Sequence, residues 1–587
     1  MRKITDFLKP YKSKLITVAF MHAVSAACAL MMPYVMSEIV DGGIKQGDIG
    51  IIISSAVIMF ILAVMSVLTS IISNRINSTV TTGFSSSLCK AVFKKINSLS
   101  YEQYSKIGSS GLLTRSTDDV FNVENAASQL VYTLVTVPIY LIVGGILSFA
   151  ADPLLSLIFV LAIPPVLIFI VLLVKPLHNM WDKADKYVDV QNRIVRERLS
   201  GLRVIRAFNN EEKEHNRAKH ATEEMAGYII KANVRMGYIY PVAMLILNIA
   251  AVALIYVGKE RVEAGIITEA GSVISVIQYV ALISNSILTL SWTIAWLPHL
   301  KVSVSRIGEV MNLDTVEAGA DGISEKSFSD SDGISVDICN LNFTYPDSKV
   351  PALRDVSISV GKGETVAIIG GTGSGKSTVV RLLLALYSPD TGSIYIDGTD
   401  YKTLSRSEIR SAYSTALQRG MIFEGTVYDN VTMGNSDVKR EEVFQALSDC
   451  MMSDFVNSHE EGLDYVLVGL GQNVSGGQKQ RINMARTVLR KAPVYIFDDS
   501  FSALDYLTEK KIQKRLFERL RTKTKIIITQ RVSTALSADR IYVMDKGAVV
   551  AEGTHKTLLE SSDIYREICV SQLGKECVRG EKTDEKN

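Results

Sequence analysis

The sequence predicts an α-helical transmembrane domain of six spans with long cytoplasmic helical extensions, followed by an α/β domain. Three observations support this fold class. Apolar stretches of about 20 residues are concentrated in the first half. Basic residues cluster in alternate connections between those stretches. In the second half, a glycine-rich loop directly follows a strand-like run. A 47% hydrophobic content with mean hydropathy +0.20 is high for a purely soluble chain of 587 residues.

The charge and cysteine content exclude several other classes. Lys and Arg (63) nearly balance Asp and Glu (61), and a net charge of +2 argues against nucleic acid as a partner. The six cysteines are scattered without a CxxC pair, so the sequence predicts reduced thiols and neither a disulfide framework nor a structural zinc site.

The first half contains six predicted spans, each long enough to cross a hydrocarbon core of about 30 Å as a helix. A membrane anchor would need only one span, so several spans favour a transmembrane domain. The predicted limits are Leu15–Met36, Ile51–Ile72, Leu130–Ala150, Leu154–Val174, Tyr238–Val257 and Ile274–Leu297. Asp152 and Pro153 separate the third and fourth spans, which must form a tight hairpin.

The basic residues predict the orientation, because Lys and Arg are retained on the cytoplasmic side. The N-terminal segment and the two long connections, residues 73–129 and 175–236, carry 24 Lys and Arg, whereas the other three connections carry 3. The N-terminus and the C-terminal half are therefore expected in the cytoplasm. The mixed charges of the long connections predict helices extending beyond the bilayer, with a disordered loop as the alternative.

We divide the chain into a transmembrane domain (residues 1–313), a Gly/Ser/Asp-rich linker (314–333), a nucleotide-binding domain (334–570) and a charged, disordered tail (571–587). In the nucleotide-binding domain, strand-like runs alternate with helical stretches, which is typical of an α/β fold. The clearest runs are Thr365–Ile369, Val494–Phe497 and Lys525–Thr529.

A phosphate-binding loop follows the first of these runs. It matches G-x-x-x-x-G-K-S and leads into a helix predicted over Thr378–Leu386, so backbone N–H groups can face a polyphosphate at a helix N-terminus. Lys376 is expected to reach the β and γ oxygens, and Ser377 to hold Mg²⁺. The candidate ATP-binding residues are Gly370, Gly371, Thr372, Gly373, Ser374, Gly375, Lys376, Ser377 and Thr378.

Two carboxylates end the run Val494–Phe497. Asp498 is placed to anchor Mg²⁺ through its coordination shell, and Asp499 follows it directly. Together with the loop, this motif predicts a P-loop NTPase.

A further motif, Val474-Ser475-Gly476-Gly477-Gln478, precedes the acidic strand and resembles the LSGGQ signature of the ATP-binding cassette (ABC) family. The resemblance covers nearly the whole chain. Tyr345 matches the family's adenine-stacking aromatic residue, and Gln418 matches its Q-loop glutamine, which implies catalytic and Mg²⁺ roles for Gln418. Ser502–Asp505 matches the D-loop. Leu113–Asp119 and Gly201–Phe208 resemble the coupling-helix regions of exporters.

Six spans followed by one cassette is the layout of an ABC half-transporter. The resemblance implies that two cassettes pack head to tail. The signature residues Ser475, Gly476, Gly477 and Gln478 would then close on ATP held by the partner's phosphate loop. The expected ligands are ATP and Mg²⁺, and the expected partner is a second half-transporter.

Two departures from the family pattern concern hydrolysis. Asp499 replaces the usual Glu, which withdraws the carboxylate by one methylene, and Gln530 replaces the switch histidine. Slow hydrolysis at the chain's own site is therefore expected, with conservative drift and an active Asp499 as the alternative. The pattern resembles the degenerate-site subunit of heterodimeric multidrug exporters. A heterodimer is preferred, and a homodimer is possible. A third departure, the lack of an acidic residue in Val466–Gly471, concerns a contact with the membrane helices.

The expected activity is ATPase-coupled export of hydrophobic or amphipathic small molecules across a membrane. The protein itself is expected to be embedded in that membrane. A bacterial plasma membrane is the expected location, since no organelle transit sequence is visible. Lipid or peptide export, and an ATP-binding regulatory subunit, are the alternatives. Polar and aromatic residues in the spans are candidates for the transport path, with helix–helix hydrogen bonding or interface anchoring as the other interpretation. They are His22, Asn248, Gln278, Asn285, Trp292 and Trp296.

Overall fold

A computed structural model describes residues 4–263, 270–314, 328, 332–346, 348–418, 420–435 and 437–574. The chain divides into two compact units. The first comprises residues 1–97 and 108–313, and the second comprises residues 98–107 and 314–587.

Long helices form the first unit. Ile4–Tyr11 is a short 3-10 helix and Ile39–Ile44 a π-helical turn. The α-helices are α1 (Lys12–Glu38), α2 (Ile49–Asn97), α3 (Tyr101–Ile107), α4 (Ser109–Ser116), α5 (Asp118–Ala151), α6 (Pro153–Val174), α7 (Leu177–Ala207), α8 (Glu211–Gly237), α9 (Ile239–Glu263) and α10 (Ala270–Asn312). Of these, α3 belongs to the second unit.

Six stretches within the described part of the chain are long and apolar enough to cross a membrane: Ile4–Ile44, Ile49–Asn97, Ser109–Ala151, Pro153–Leu173, Glu211–Arg261 and Ala270–Ile294. Each coincides with one predicted span. Both long connections are largely helical, as predicted, because α2, α7 and α8 continue well beyond the apolar segments. An ion pair of 2.9 Å between Arg217 and Glu197 joins α7 and α8.

The hairpin between the third and fourth spans has a clear local cause. Asp152 is the N-cap of α6 and accepts hydrogen bonds of 2.9 Å from the N–H groups of Leu154 and Leu155, while Pro153 occupies the first turn. Arg261 at the end of α9 pairs with the same carboxylate at 2.7 Å. Asp152 therefore marks the end of α5, caps the start of α6 and forms an ion pair with α9.

The second unit continues with three strands and a helix, β1 (Val336–Phe343), β2 (Leu353–Val360), β3 (Thr365–Gly370) and α11 (Lys376–Leu383). The following elements are β4 (Thr391–Ile396), β5 (Thr399–Asp400), α12 (Arg406–Ser411), β6 (Tyr413–Ala416), β7 (Gly425–Thr426), α13 (Val427–Thr432), α14 (Arg440–Asp449), α15 (Ser453–Asn457), β8 (Val466–Leu467) and α16 (Gly476–Leu489). The last elements are β9 (Val494–Asp498), α17 (Tyr506–Arg519), β10 (Thr524–Thr529), α18 (Val532–Ala535), β11 (Arg540–Asp545), β12 (Ala548–Gly553), α19 (His555–Ser561) and α20 (Asp563–Leu573).

The central sheet has the strand order β12-β11-β3-β10-β9-β6, parallel except for the antiparallel edge strand β12. Three of its four inner strands, β3, β9 and β10, are fully buried, which matches their continuous apolar runs. An antiparallel sheet, β2-β1-β4-β5, packs beside it in one hydrophobic core. This is the predicted α/β architecture, with all three predicted strands present.

Helix ends differ from the sequence prediction for local reasons. The sequence after the signature predicts a helix over Lys479–Arg490, but α16 begins three residues earlier, at Gly476, because Ser475 and Gln478 form a capping box. α11 ends at Leu383 rather than Leu386, and Ala385 has a left-handed backbone with φ +50. α20 extends to Leu573, so residues 571–573 of the predicted tail are helical. The rest of the tail beyond Gly574 and most of the predicted linker lie outside the described residues.

Candidate nucleotide-binding site

The site lies at the carboxyl ends of three adjacent parallel strands, where ligands of open α/β sheets bind. β3 leads into the phosphate loop, β9 ends at Asp498, and β10 leads directly to Gln530. The register pairs Ile528 with Asp498 and Thr529 with Ile369, which places the three strand ends side by side. The fold therefore brings together three motifs separated by up to 160 residues.

Two glycines of the loop are required by its geometry. Gly375 has φ +102, and its backbone forms the N-cap of α11 without a side-chain hydrogen bond. A Cβ at Gly370 would lie 2.2 Å from the carbonyl oxygen of Met544 on β11. The loop thus packs against the sheet and leaves the first N–H groups of α11 to a ligand.

Lys376 is folded onto its own loop. Its Nζ donates to the carbonyls of Gly370 and Gly371, both at 2.7 Å, and lies 3.2 Å from Ser374 Oγ. Burial lowers the pKa of Lys376, while Asp499 and Asp498 act in the opposite direction. A phosphate oxygen would supply the acceptor that a buried ammonium group favours.

Ser377 and Asp498, the two residues predicted to act together at Mg²⁺, lie next to each other in the site. Ser377 Oγ lies 3.5 Å from Asp498 Oδ1, and the Asp498 residue is only 6% exposed. Burial, and secondly the neighbouring Asp499 carboxylate, raise the pKa of Asp498 to about 6. Mg²⁺ prefers oxygen ligands, and a hydroxyl and a carboxylate both supply them. A nearby cation would also stabilise the ionised form of the buried Asp498 carboxylate, so these residues suit the ion.

Asp499 follows β9 in a left-handed conformation with φ +48. Its backbone N–H donates to the carbonyl of Ile528 at 2.8 Å, and its carbonyl accepts from Ser502 Oγ at 2.8 Å. Its carboxylate Oδ2 accepts a hydrogen bond from Gln418 Nε2 at 3.5 Å. Burial raises the pKa of Asp499, and the contact with Gln418 opposes this shift. The predicted Q-loop residue thus contacts Asp499.

Gln530 faces the phosphate loop, since Thr372 Oγ1 donates to Gln530 Oε1 at 3.4 Å. One cavity of about 320 Å³ is lined by the loop residues Thr372–Thr378 together with Gln418, Asp498, Asp499 and Gln530. The two departures from the ABC pattern therefore lie in the same site as Lys376.

Tyr345 lines this cavity as well. Its hydroxyl accepts a hydrogen bond from Arg381 at 2.8 Å and lies 3.0 Å from Thr378 Oγ1. Phe343 and Tyr387 pack edge-on against its ring, with centroids at 4.9 and 5.4 Å. Sequence reasoning missed these supporting residues; the position of Arg381 on the phosphate-loop helix was an available signal.

The signature residues lie apart from this cavity, at the N-terminus of α16. Ser475 Oγ accepts from the N–H of Gln478 at 3.2 Å, and Gln478 Oε1 accepts from the N–H of Ser475 at 2.7 Å. Ser475 and Gly476 are exposed. The structure therefore separates the predicted nucleotide-contacting residues into two groups on one domain.

Other polar residues, missed by sequence reasoning, connect the signature helix and the β10 loop to the D-loop. Gln480 on α16 accepts from the N–H of Ala503 at 3.1 Å. The Arg531 guanidinium donates to the carbonyls of Ser502 and Leu504 and to the buried carboxylate of Glu509. Their adjacency to Gln478 and Gln530 in the sequence was the available signal.

The candidate transport-path residues do not form one group. His22 is buried, with its ring edge-on to Tyr132 at 5.2 Å. Asn248 and Asn285 are exposed and Gln278 is half-buried. Trp292 and Trp296 line a cavity of about 540 Å³ between α5 and α10.

The fold and the site define a membrane protein with a P-loop nucleotide-binding domain. Family models agree: residues 15–287 match the ABC transporter transmembrane region, and residues 353–502 match the ABC transporter domain. An uncharacterised ABC transporter ATP-binding protein of Mycobacterium tuberculosis is 33% identical over 574 residues, 97% of each chain. The chain therefore belongs to the ABC transporter family.

Other relatives cover the chain almost completely. An ATP-dependent lipid A-core flippase of Escherichia coli is 26% identical over 98% of each chain. A solved bacterial Atm1-family ABC exporter with ATP bound has a similar fold, with TM-score 0.82, 21% identity and coverage of 98% of this chain and 99% of that chain. The present chain is thus a half-transporter of the ABC exporter type, with a transmembrane domain fused to an ATP-binding domain whose activity is ATPase-coupled transport.

Proposed function

We propose that this chain is one half of a heterodimeric exporter that moves hydrophobic or amphipathic compounds, of the multidrug type, across a membrane. In this proposal the chain holds ATP at its own phosphate loop with slow hydrolysis and donates its signature to the partner's site. The observation that carries the proposal is that Asp499 and Gln530 line the same cavity as Lys376.

The chemistry of these two residues supports slow hydrolysis. Asp499 is one methylene shorter than the usual Glu, and a displacement of about 1 Å can cost a hundredfold in rate. Gln530 can donate a hydrogen bond to a γ-phosphate, but it cannot become a cation or transfer a proton as His can. Both changes affect the handling of the water and the γ-phosphate, whereas the groups that hold ATP are retained.

The retained groups assign the binding roles. The N–H groups at the start of α11 and the Lys376 ammonium would bind phosphate oxygens, and the Tyr345 ring would support the adenine. Ser377 and Asp498 would hold Mg²⁺, which neutralises charge on the β- and γ-phosphates when bound. Gln418 contacts Asp499 at 3.5 Å and would orient that carboxylate.

The exposed signature supports donation to a second chain. Ser475 and Gly476 present the N-terminus of a 14-residue helix, where backbone N–H groups and the helix dipole favour phosphate. Because these residues are absent from the lining of the chain's own cavity, a partner's ATP is their proposed ligand.

The cargo proposal is supported by the cavity between α5 and α10. Phe121, Trp292 and Trp296 provide aromatic surface, while Asn125 and Gln129 provide amide groups one helical turn apart. Among the described lining residues there is no charged side chain. Such a cavity suits an apolar or amphipathic compound with a few hydrogen-bonding groups.

Lipid export is the second candidate, and the lipid A-core flippase relative favours it. A regulatory subunit that binds ATP without completing transport remains an alternative that the altered site would permit. The proposed location is a bacterial plasma membrane, with the N-terminus and the ATP-binding domain in the cytoplasm, supported by the excess of Lys and Arg on that side.

ATP hydrolysis by the purified chain, alone and with its partner half-transporter, tests the proposal. We expect little turnover by the lone chain and strong stimulation when the partner is added. Vesicles containing both chains should accumulate a fluorescent amphipathic compound in an ATP-dependent manner. Rapid hydrolysis by the lone chain would contradict the assigned role, and ATP-independent accumulation would contradict export.

A further inference from the structure

The loop after β10, residues Gln530–Val532, is held by a side chain of the C-terminal helix α20. Gln572 Oε1 accepts a hydrogen bond from the N–H of Val532 at 2.9 Å, and Gln572 Nε2 donates to the carbonyl of Gln530 at 2.6 Å. One primary amide therefore bridges the two ends of the loop.

These two backbone groups need a partner from elsewhere. The Val532 N–H lies in the first turn of α18, whose N-cap Arg531 provides no side-chain cap. The Gln530 carbonyl lies just beyond the end of β10. A primary amide offers a strong donor and a strong acceptor on separate atoms at the end of a flexible side chain, so Gln suits this bridge.

The bridge fixes the peptide groups on both sides of Arg531, and two side chains with different partners project from this loop. Gln530 contacts Thr372 of the phosphate loop at 3.4 Å. Arg531 donates to the carbonyl of Ser502 in the D-loop at 2.6 Å and to Glu509 at 3.0 Å. A rotation of this loop would displace both side chains together.

The end of α20 is a firm support for the bridge. Tyr565 and Cys569 are fully buried in the core that also contains Val532, and the Tyr565 hydroxyl lies 2.9 Å from His555 Nδ1. Gln572 itself is exposed, so packing in the core does not account for its contacts.

We infer that Gln572 is a positioning residue for the nucleotide site, which holds the Gln530–Val532 loop so that Gln530 faces the phosphate loop. The inference rests on the proposed function only in taking Gln530 as a γ-phosphate contact. The predicted effect is a ratio of kcat values for ATP hydrolysis between variants, so it does not depend on how fast the unmodified chain hydrolyses ATP.

The test uses the full chain in lipid nanodiscs with Mg²⁺ and radiolabelled ATP. Gln572→Met has a similar length without hydrogen-bonding ability, and Ser571→Ala is the matched control on the same helix. We expect Gln572→Met to lower kcat about fivefold with less than a twofold change in KM, since about one net hydrogen bond of positioning is lost. Hydrogen–deuterium exchange of the Val532 amide should accelerate in the same variant.

Gln572→Glu provides a second, conservative test. Its carboxylate can accept from the Val532 N–H but cannot donate to the Gln530 carbonyl until it is protonated. We therefore expect kcat of Gln572→Glu to lie between the values of Ser571→Ala and Gln572→Met at pH 8, because one of the two hydrogen bonds of the bridge is kept. This variant also decides the question if Gln572→Met does not fold.

Equal kcat values and equal exchange of the Val532 amide in Gln572→Met and Ser571→Ala would overturn the inference, as would a change in KM alone. Rapid hydrolysis by the unmodified chain would contradict the proposed function, yet it would leave the ratio between variants readable. The two failures are thereby distinguishable.

Discussion

The phosphate-loop face and the signature face of the ATP-binding domain both present a helix N-terminus, but they are built differently. α11 begins after Gly375 without a side-chain cap, whereas α16 begins with a capping box between Ser475 and Gln478. At the signature helix, the Ser475 side chain therefore accepts a hydrogen bond from one of the N–H groups at the helix N-terminus. The phosphate loop has no such cap and leaves its N–H groups to a ligand, while Lys376 Nζ donates to a carbonyl of its own loop.

The two faces also differ in how closely their residues match the ABC pattern. At the phosphate-loop face, the residues proposed to hold ATP match the ABC pattern, and the two proposed to act in hydrolysis, Asp499 and Gln530, depart from it. The signature face keeps its full motif. Under the proposed division of roles, substitutions at the phosphate-loop face should alter hydrolysis at the chain's own site. Substitutions at the signature face should alter hydrolysis at the partner's site.

The largest expected effect comes from restoring the usual hydrolytic residues. Asp499→Glu combined with Gln530→His should raise ATP hydrolysis at the chain's own site about a hundredfold, because the carboxylate regains its reach and the switch position regains a titratable group. Phosphate release from the lone chain measures this effect.

The left-handed backbone at Asp499 sets a limit on this gain, since short polar side chains are enriched there and Glu is less well accommodated. The control adds Lys376→Ala to the double variant, which should remove the gained activity. An unchanged rate in the double variant would mean that another feature of the site limits hydrolysis.

A smaller effect separates the two faces in the assembled heterodimer. Ser475→Ala should lower total hydrolysis about tenfold, because a donor group at the partner's ATP is lost. Lys376→Ala should lower it less than threefold, because the slow site contributes little to turnover. The measurement is steady-state hydrolysis with both chains present.

Ser475→Ala also removes a helix cap, at a cost of about 1 kcal/mol in folding free energy. Ser405→Ala is therefore the matched control, since Ser405 forms a capping box with Glu408 on α12 and neither residue lines the nucleotide cavity. Equal effects of Ser475→Ala and Lys376→Ala, or an equal loss with Ser405→Ala, would contradict the separation of the faces.

In both units, the features that the sequence predicts are local ones. The spans follow from apolar length alone, and the strand–loop–helix around Lys376 follows from a local motif, so both were predicted. The chain's assignment to the ABC exporter architecture is confirmed by the family models and relatives. The domain limits and the individual site roles stay predictions.

Long-range side-chain contacts could not be predicted. The bridge from Gln572 to Gln530 joins residues 42 positions apart, and the register of three parallel strands determines where Asp499 and Gln530 meet. The left-handed backbone at Asp499 is likewise a property of the folded strand end rather than of its motif. Such features depend on tertiary packing, which residue spacing does not encode.

The smallest expected effect is a dependence of Mg²⁺·ATP binding on pH at the phosphate-loop face. Asp498 must be ionised to hold Mg²⁺, and its pKa is about 6, so ionisation decreases as the pH falls below neutrality. We expect affinity for a fluorescent ATP analogue with Mg²⁺ to be about fourfold lower at pH 5.5 than at pH 7.5. In the ligand-free chain the sign for stability is opposite. The folded state retains a proton that the unfolded chain has released, so stability decreases as the pH rises through about 6.

Asp498→Asn is the control for this prediction, because it removes the titrating group while preserving shape. Its Mg²⁺-dependent binding should be weak at both pH values, and the remaining pH dependence should equal that of the analogue measured without Mg²⁺. If Asp498→Asn instead kept the full fourfold difference between pH 5.5 and pH 7.5, Asp498 would not be its source, and the pH dependence would have to come from the analogue or from another group of the site.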